Sequence, residues 1–433
     1  MSSLIEPHNS TEGVVASVHQ LVNPESKLRH LPHLPASFYE RSELLRKVRD
    51  AGFARITSPD AVLASLLCRV SASLSPGISI PNGSLNYVAA LIGESGTGKS
   101  VAFQAARDLL PDIGTLVDGW GIGSGQGIVK AITGKADENG HCEIINSRVL
   151  FEADEGEQLL RVGRQDQSIT MATIRSAWSG GPLGQTNATE GLTRNVGAGL
   201  YRFALAIGLQ PNFAAELLQG VNGGDPQRFL FMAVQNPLQP NLLPAFPEPI
   251  APLYLLDDMS TVLTVDPDVT AMIKNHRVRK QRGEIIDDPL DSHKHLLTLK
   301  TAGLLAFLHG DDITTEWWKM ALQVVEVSLG VRNYVVEHAK LQKQSVLIER
   351  AETEIGRRAV VDANRKQEVL ESMLKSMVNH ISNNGGRVNR SALANACSGQ
   401  HKSMVAADDV IAEGLKRGLF VKVGELYGLP VRN

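Results

Sequence analysis

The segment Gly93-Glu94-Ser95-Gly96-Thr97-Gly98-Lys99-Ser100 constrains this chain more than any other. It matches G-x-x-x-x-G-K-[ST] in full. It follows the apolar run Val88–Ile92 and precedes VAFQAARDLL, whose apolar residues recur at helical spacing. Strand, glycine loop and helix, in that order, form the context in which this spacing acts. The glycines let the backbone curl so that successive N–H groups point inward, and the following helix presents its positive end to an anion. Lys99 adds a mobile charge for β- and γ-phosphates, and Ser100 offers a hydroxyl to magnesium. The expected ligands are therefore ATP and Mg2+, held by Gly93 through Ser100. The bland reading is a glycine-rich turn with a chance lysine.

A phosphate loop needs a partner strand that ends in acid. Arg148-Val149-Leu150-Phe151-Glu152-Ala153-Asp154-Glu155 supplies one about fifty residues on. Asp154 is expected to hold the metal through water and Glu155 to polarise the attacking water. Glu152 is a competing acid, less suited because it lies inside the run. A further apolar strand, Tyr201–Leu209, ends in Gln210, which is placed either to sense the γ-phosphate and orient water or merely to start a loop before Pro211. Arg228, on a Gly/Pro loop just before the run Phe229-Leu230-Phe231, suits a finger that meets charge on a neighbouring subunit's nucleotide. Its alternative is a surface ion pair.

Short apolar runs alternate with helical segments to about Pro240, the pattern of an α/β sheet. At roughly 150 residues per domain, 433 residues suggest about three domains. Residues 1–35 are polar, with His8, His19, His30 and His33 at no regular spacing, and read as a loosely ordered arm whose histidines are unpaired surface groups. Residues 36–82 read as a helical region, with Ser58 and Asp60 as start signals; its end, SPGISIPNGS, reads as a turn. The core covers 83–250, and the six prolines between Asn236 and Pro252 mark a crossing segment without helix or central strand. Helical spacing dominates 251–345, a charged helical connector spans 346–366, and 367–433 reads as an amphipathic helix, a turn cluster, two short helices and a hairpin.

Forty-three cationic against 46 acidic side chains give a formal charge of −3, so any nucleic-acid contact must come from local patches. The three cysteines, Cys68, Cys142 and Cys397, form neither a disulfide framework nor a zinc spacing, which fits a reducing cytoplasm. No basic start followed by an apolar run suggests a signal peptide, and no apolar stretch approaches the roughly 18 residues of a membrane span.

Taken together, GSLNYVAALIGESGTGKS, GSGQGIVKAI, VLFEADEGEQLL, IRSAWSGGPLG, ALAIGLQPN and GGDPQRFLF, in order between residues 83 and 231, resemble the AAA+ ATPases near phage and prophage replication helicases. A closer resemblance is to an actinobacterial and prophage family of P-loop proteins often found beside or fused to primase–polymerase modules. The resemblance implies an α/β P-loop NTPase core with a helical lid over 251–345, in which Lys300 or His295 would be the phosphate sensor. The usual sensor there is arginine, a departure in this chain. Residues 367–433 resemble a winged-helix domain, with a recognition helix within 402–418.

DNA contact is then expected from Arg390, Lys402, Lys416 and Arg417, where six cations between Arg387 and Lys422 face three acids; a protein-docking role is the alternative. Lys274–Arg282 carries five cations without an aromatic, either a backbone contact or a solvated helix face. In related ring motors a hairpin ahead of the sensor strand grips DNA, which makes Arg194 and Arg175 candidates here. The expected function is a cytoplasmic, ring-forming, hexameric DNA helicase or translocase of a mobile element, with a primase or polymerase as partner. The alternatives are an ATP-gated helicase loader or origin-binding initiator and, more remotely, a small-molecule kinase.

Overall fold

The computed structural model describes residues 31–136, 142–164, 169–185, 194–218, 224–252 and 260–430. Most of the expected arm, with His8, His19 and His30, lies outside them; His33 lies inside and packs against Asp60, with Nδ1 3.4 Å from the carboxylate. The chain divides into two compact units, Met1–Gln342 and Lys343–Asn433.

The first unit opens with α1 (Ala36–Tyr39), α2 (Glu43–Ala54) and α3 (Pro59–Ser73). Then come β1 (Ile78–Ile80), β2 (Gly83–Ser84), β3 (Tyr87–Ile92), α4 (Lys99–Leu109), β4 (Asp118–Trp120) and α5 (Gly125–Ile132). They are followed by β5 (Thr133–Ala136), β6 (Cys142–Ile144), β7 (Arg148–Ala153), α6 (Gly156–Arg164) and α7 (Thr170–Ser179). A hairpin of β8 (Leu183–Gln185) and β9 (Arg194–Val196) leads to β10 (Arg202–Leu209), α8 (Pro211–Leu218) and β11 (Leu230–Ala233). The unit closes with β12 (Thr261–Val262), α9 (Pro267–Gln281), α10 (Lys294–Leu308) and the start of α11 (Thr315–Asn383).

Five strands form one parallel sheet in the order β11-β3-β10-β7-β4. Its central strands read YVAALI and RFALAIGL and are buried at every position, as strands covered on both faces must be. The register pairs Tyr87 with Ala204 and Ile92 with Leu209, so β3 and β10 end together. That common end carries the glycine loop.

Residues 36–82 are not a region apart. All fifteen residues of α3 are buried, because PDAVLASLLCRVSAS offers small or apolar side chains on every side and packs onto the sheet and α4. Its polar groups are paired: Ser71 donates to Leu85 O at 2.7 Å, and Arg69 grips Asp118 with two bonds of 2.8 and 3.0 Å. The expected turn at 75–84 instead forms β1 and β2, with Asn82 taking the positive φ of 58° between them. Local sequence does not show this, since β1 is completed by pairing with Thr261–Val262, far along the chain. The proline-rich segment carries neither helix nor strand, as expected.

The connector at 346–366 is part of α11, a 69-residue helix that begins in the first unit and ends in the second. Residues 343–368 are largely exposed, matching their scarcity of large apolar side chains. Beyond α11 the second unit holds β13 (Arg387–Asn389), α12 (Arg390–Asn395), α13 (Gly399–Lys402), α14 (Ala407–Lys416), β14 (Val421–Val423) and β15 (Leu426–Gly428). An antiparallel sheet β13-β15-β14 and these helices enclose a separate core that includes Met373, Met377, Leu393, Val410 and Phe420. The expected hairpin is present; β13 and the third short helix were not expected. Among the described residues no helix is long and apolar enough to cross a membrane.

Candidate functional site

The loop between β3 and α4 leaves the sheet at Ile92 and is pinned at once, because Gly93 N donates to Leu209 O on the neighbouring strand at 3.1 Å. Glycine is required at Gly93, where a Cβ would fall 2.4 Å from Thr97 Oγ1, and at Gly98, whose φ is +100°. Thr97 Oγ1 donates to Glu94 O at 2.8 Å and closes the curl. Helix α4 then starts at Lys99 with no acid in its first turn, so its positive end is not neutralised locally. Ser95, Gly96 and Ser100 are exposed. Lys99 Nζ lies over the loop and donates to Gly93 O and Glu94 O, both at 2.8 Å. Burial holds its pKa below the ordinary lysine value, and Glu157, Glu94 and Asp154 oppose that shift.

The acidic strand comes to the same edge. Glu152 and Ala153 of β7 pair with Ala206 and Ile207 of β10, so Asp154 and Glu155 emerge one strand away from the loop, both exposed. Gly208 makes this approach possible: a Cβ there would fall 2.6 Å from Asp154 O and 3.2 Å from Lys99 Cδ. Any side chain at 208 would separate the lysine from the acid. Gln210 follows Leu209, the residue that anchors Gly93, and is partly exposed beside the loop. Glu152 is engaged elsewhere, its carboxylate bonded to Arg107 at 2.5 Å and its pKa raised by burial. Among the described residues no cluster of three or more His, Cys, Asp or Glu could hold a metal alone. Ser100, Asp154 and Glu155 are hard oxygen donors, however, and magnesium needs few of these when phosphate oxygens complete its shell.

Lys300 is not at this edge. It is fully buried on α10, and its Nζ donates to Asn86 O at 2.8 Å and Trp178 O at 2.7 Å. Asn86 precedes β3, so Lys300 sits at the opposite end of the strand, about 20 Å from the loop at 3.3 Å per residue. His295, little more than a turn earlier, meets the His276 ring edge to face, with ring centres 4.2 Å apart. The sensor assignment to either residue is therefore corrected: α10 is apolar around most of its circumference and sinks beside α3 and β1 rather than covering the loop. Changing Lys300 to Met should leave nucleotide affinity within twofold while costing about 1–3 kcal/mol of stability for two unpaired buried carbonyls. Parallel nucleotide titrations and urea melts check this.

What does approach the loop is the first part of α11. Glu94 acts electrostatically on both Tyr334 and His338. His338 is 8% exposed with Nδ1 unpartnered, and burial lowers its pKa; burial raises that of Tyr334 to about 12. From the other side, Thr57 Oγ1 donates to Gly98 O at 3.4 Å. Beside it Ile56 is 64% exposed at a φ of +54°, a strained conformation for a β-branched residue. Tyr334, His338 and Thr57 carry no sequence signal, since each comes near the loop through tertiary packing. A cavity of about 550 Å³ includes no loop residue and is lined by His33, Tyr39, Asp60, Asn236 and Leu242 among others.

Arg228 closes the turn Pro226–Arg228 just before β11, at the sheet edge away from its own loop. It donates to Gly224 O and lies 5.4 Å from the centre of the Trp178 ring. Arg175, on α7, is bonded to Asp225 at 2.7 Å and does not belong to the β8–β9 hairpin. Arg194 stands in that hairpin, paired in register with Gln185; the tip, 186–193, lies outside the described residues.

In the second unit the expected cationic face is largely compensated. Arg390 bonds Asp408, Arg417 bonds Glu371 at 2.5 Å and Glu413 at 2.8 Å, and Lys416 lies 3.7 Å from Glu413. Lys402 ends α13. The basic run Lys274–Arg282 is an exposed helix face whose Lys280 pairs with Asp287 at 2.6 Å and whose Arg279 and Arg282 face Glu284.

Three histidines of the first unit, His293, His295 and His338, have pKa values lowered mainly by burial, His293 to about 4. A histidine held neutral in the fold contributes stability above its unfolded pKa and loses it as the pH falls through that value toward the folded one. Stability should therefore fall between about pH 6.5 and 4. The His293 share is about 1 kcal/mol at pH 5 after allowing for partial exposure, and a flatter urea-midpoint profile for His293→Gln would register it.

No protein-family model matches this chain, and no curated protein matches it.

Proposed function

We propose that this chain is a magnesium-dependent ATPase that assembles into a ring and moves on DNA. On this reading it has an α/β P-loop core of the AAA+ kind and a C-terminal winged helix. The observation that carries the reading is the convergence at Gly208: a glycine nest, a lysine lying over it and an acidic strand end all meet at one edge of a parallel sheet. Backbone amides of 94–100 and Lys99 would cradle the phosphates, and Ser100 and Asp154 would hold magnesium, which neutralises phosphate charge when bound. Glu155 would orient and polarise the attacking water, with Gln210 beside it. Arg228 lies too far from its own loop to act there, and supplies charge to the nucleotide of the next copy.

DNA is gripped by the β8–β9 hairpin with Arg194. The second unit touches phosphates through Lys402 and through Arg390, Lys416 and Arg417, whose exposed ion pairs are cheap to exchange. Those same ion pairs favour a second reading, an ATP-gated loader or initiator whose second unit docks on protein. Strand displacement on a forked duplex separates the two. The motor unwinds with ATP and fails as Lys99→Ala; a chain that hydrolyses ATP yet displaces no strand is the loader.

A further inference from the structure

We propose that the cavity between the first helices and the proline-rich segment binds a free small molecule: neutral, planar, aromatic, and carrying one N–H or O–H donor. The cavity holds about 550 Å³, within the range of sites that take small organic ligands. No residue of Gly93–Ser100 lines it, so the site stands whether or not that loop takes a triphosphate.

The walls are fixed by the protein itself. Tyr39 of α1, Phe53 of α2 and Pro59 of α3 form one side. Opposite them runs the proline-rich segment, with Leu238, Pro240 and Leu242. Pro237, Pro240 and Pro244 set the backbone there. Gln239 Nε2 donates to Phe53 O at 2.9 Å and ties the segment to α2. Further along, Arg55 lies 4.9 Å from the centre of the Phe246 ring. Rings and prolines make flat walls, which a flat ligand covers best. Leu238 and Leu242 are 66% and 88% exposed, apolar surface that a seated ligand removes from water.

His33 supplies the polar end. Its side chain is 11% exposed, and neither ring nitrogen has a hydrogen-bond partner. The Asp60 carboxylate lies 3.4 Å from Nδ1, and its oxygens accept from Leu34 N at 3.0 Å and the Tyr39 hydroxyl at 2.5 Å. A carboxylate beside Nδ1 favours the tautomer with the proton there, which leaves Nε2 as a buried acceptor. Such an acceptor costs free energy until a donor reaches it. Charge then selects against phosphates. The lining sets Arg49 against Asp50 and Asp60, one more acid than base, and Arg49 is already paired with Asp50 and Glu40. With Asp50 and Asp60 both engaged, neither carboxylate calls for a cation, so the fitting ligand is uncharged.

Calorimetric titration of the full-length chain with two probes tests this. Indole is flat, neutral and carries one N–H; 1-methylindole keeps the ring system and lacks the donor. The wild type should bind one indole per chain and hold 1-methylindole about tenfold more weakly, the effect of one hydrogen bond. A wild type that binds no indole overturns the site, and equal affinity for the two probes overturns the role of His33. In His33→Phe the preference should shrink to less than twofold; a preference that persists there overturns the assignment of the acceptor. Ala36 lines the cavity and is exposed, so Ala36→Trp adds bulk at the site without disturbing the core. That variant should keep the wild-type urea midpoint and bind indole at least tenfold more weakly, whereas Lys99→Ala should bind it as the wild type does. The reverse pattern, with indole lost in Lys99→Ala and kept in Ala36→Trp, puts the probe at the loop and overturns the cavity as its site.

Discussion

Arg228→Ala should lower ATP turnover by about a thousandfold or more, the effect of removing an arginine that neutralises charge on a transferring phosphoryl group. Nucleotide affinity should change little, because the residue lies at the sheet edge away from its own loop and touches Gly224 and Trp178 instead. The fold should survive. What is lost locally is a cation–π contact and one backbone bond, about 1–2 kcal/mol together. Steady-state hydrolysis beside equilibrium binding of a fluorescent ATP analogue separates these quantities. A large fall in affinity at unchanged turnover would make Arg228 a structural residue.

Lys99→Ala should act on both quantities. Its ammonium spans the loop carbonyls of Gly93 and Glu94 and lies beside Asp154, the position from which it meets phosphate oxygens. Two charge-assisted bonds at about 1.5 kcal/mol each correspond to affinity roughly a hundredfold weaker, and loss of a charge that grows in importance at the transition state lowers turnover by about 10²–10³. Stability should barely move, since the side chain is only partly buried. Binding and hydrolysis titrations with matched urea melts would show this; wild-type affinity in the variant would remove the loop from the site.

How far the sequence discloses this arrangement depends on how local each feature is. The glycine loop is legible because strand, turn and helix are consecutive, and its φ angles are demanded by residues inside the motif. Asp154 and Glu155 are legible because an apolar run of strand length ends on them, and the parallel register with β10 brings them to the loop. The place of Lys300 is not legible for a physical reason: helical spacing identifies α10 but not the end of the sheet it packs against, and its buried carbonyl partners come from residues more than a hundred positions away. Tyr334, His338 and Thr57 are illegible on the same grounds. In the second unit, counting cations overstated the positive face. The Glu413–Arg417 pair stands at i,i+4 spacing and was readable, whereas Arg390–Asp408 needed the fold.

The most direct test of a site shared between copies is the ATP hydrolysis rate per chain, followed across a wide range of protein concentration with sedimentation in parallel. Sharing predicts that the specific rate climbs steeply as chains assemble and collapses on dilution, while the loop of the isolated chain still takes up nucleotide. A specific rate that stays constant down to dilutions at which the protein sediments as a single chain would contradict it.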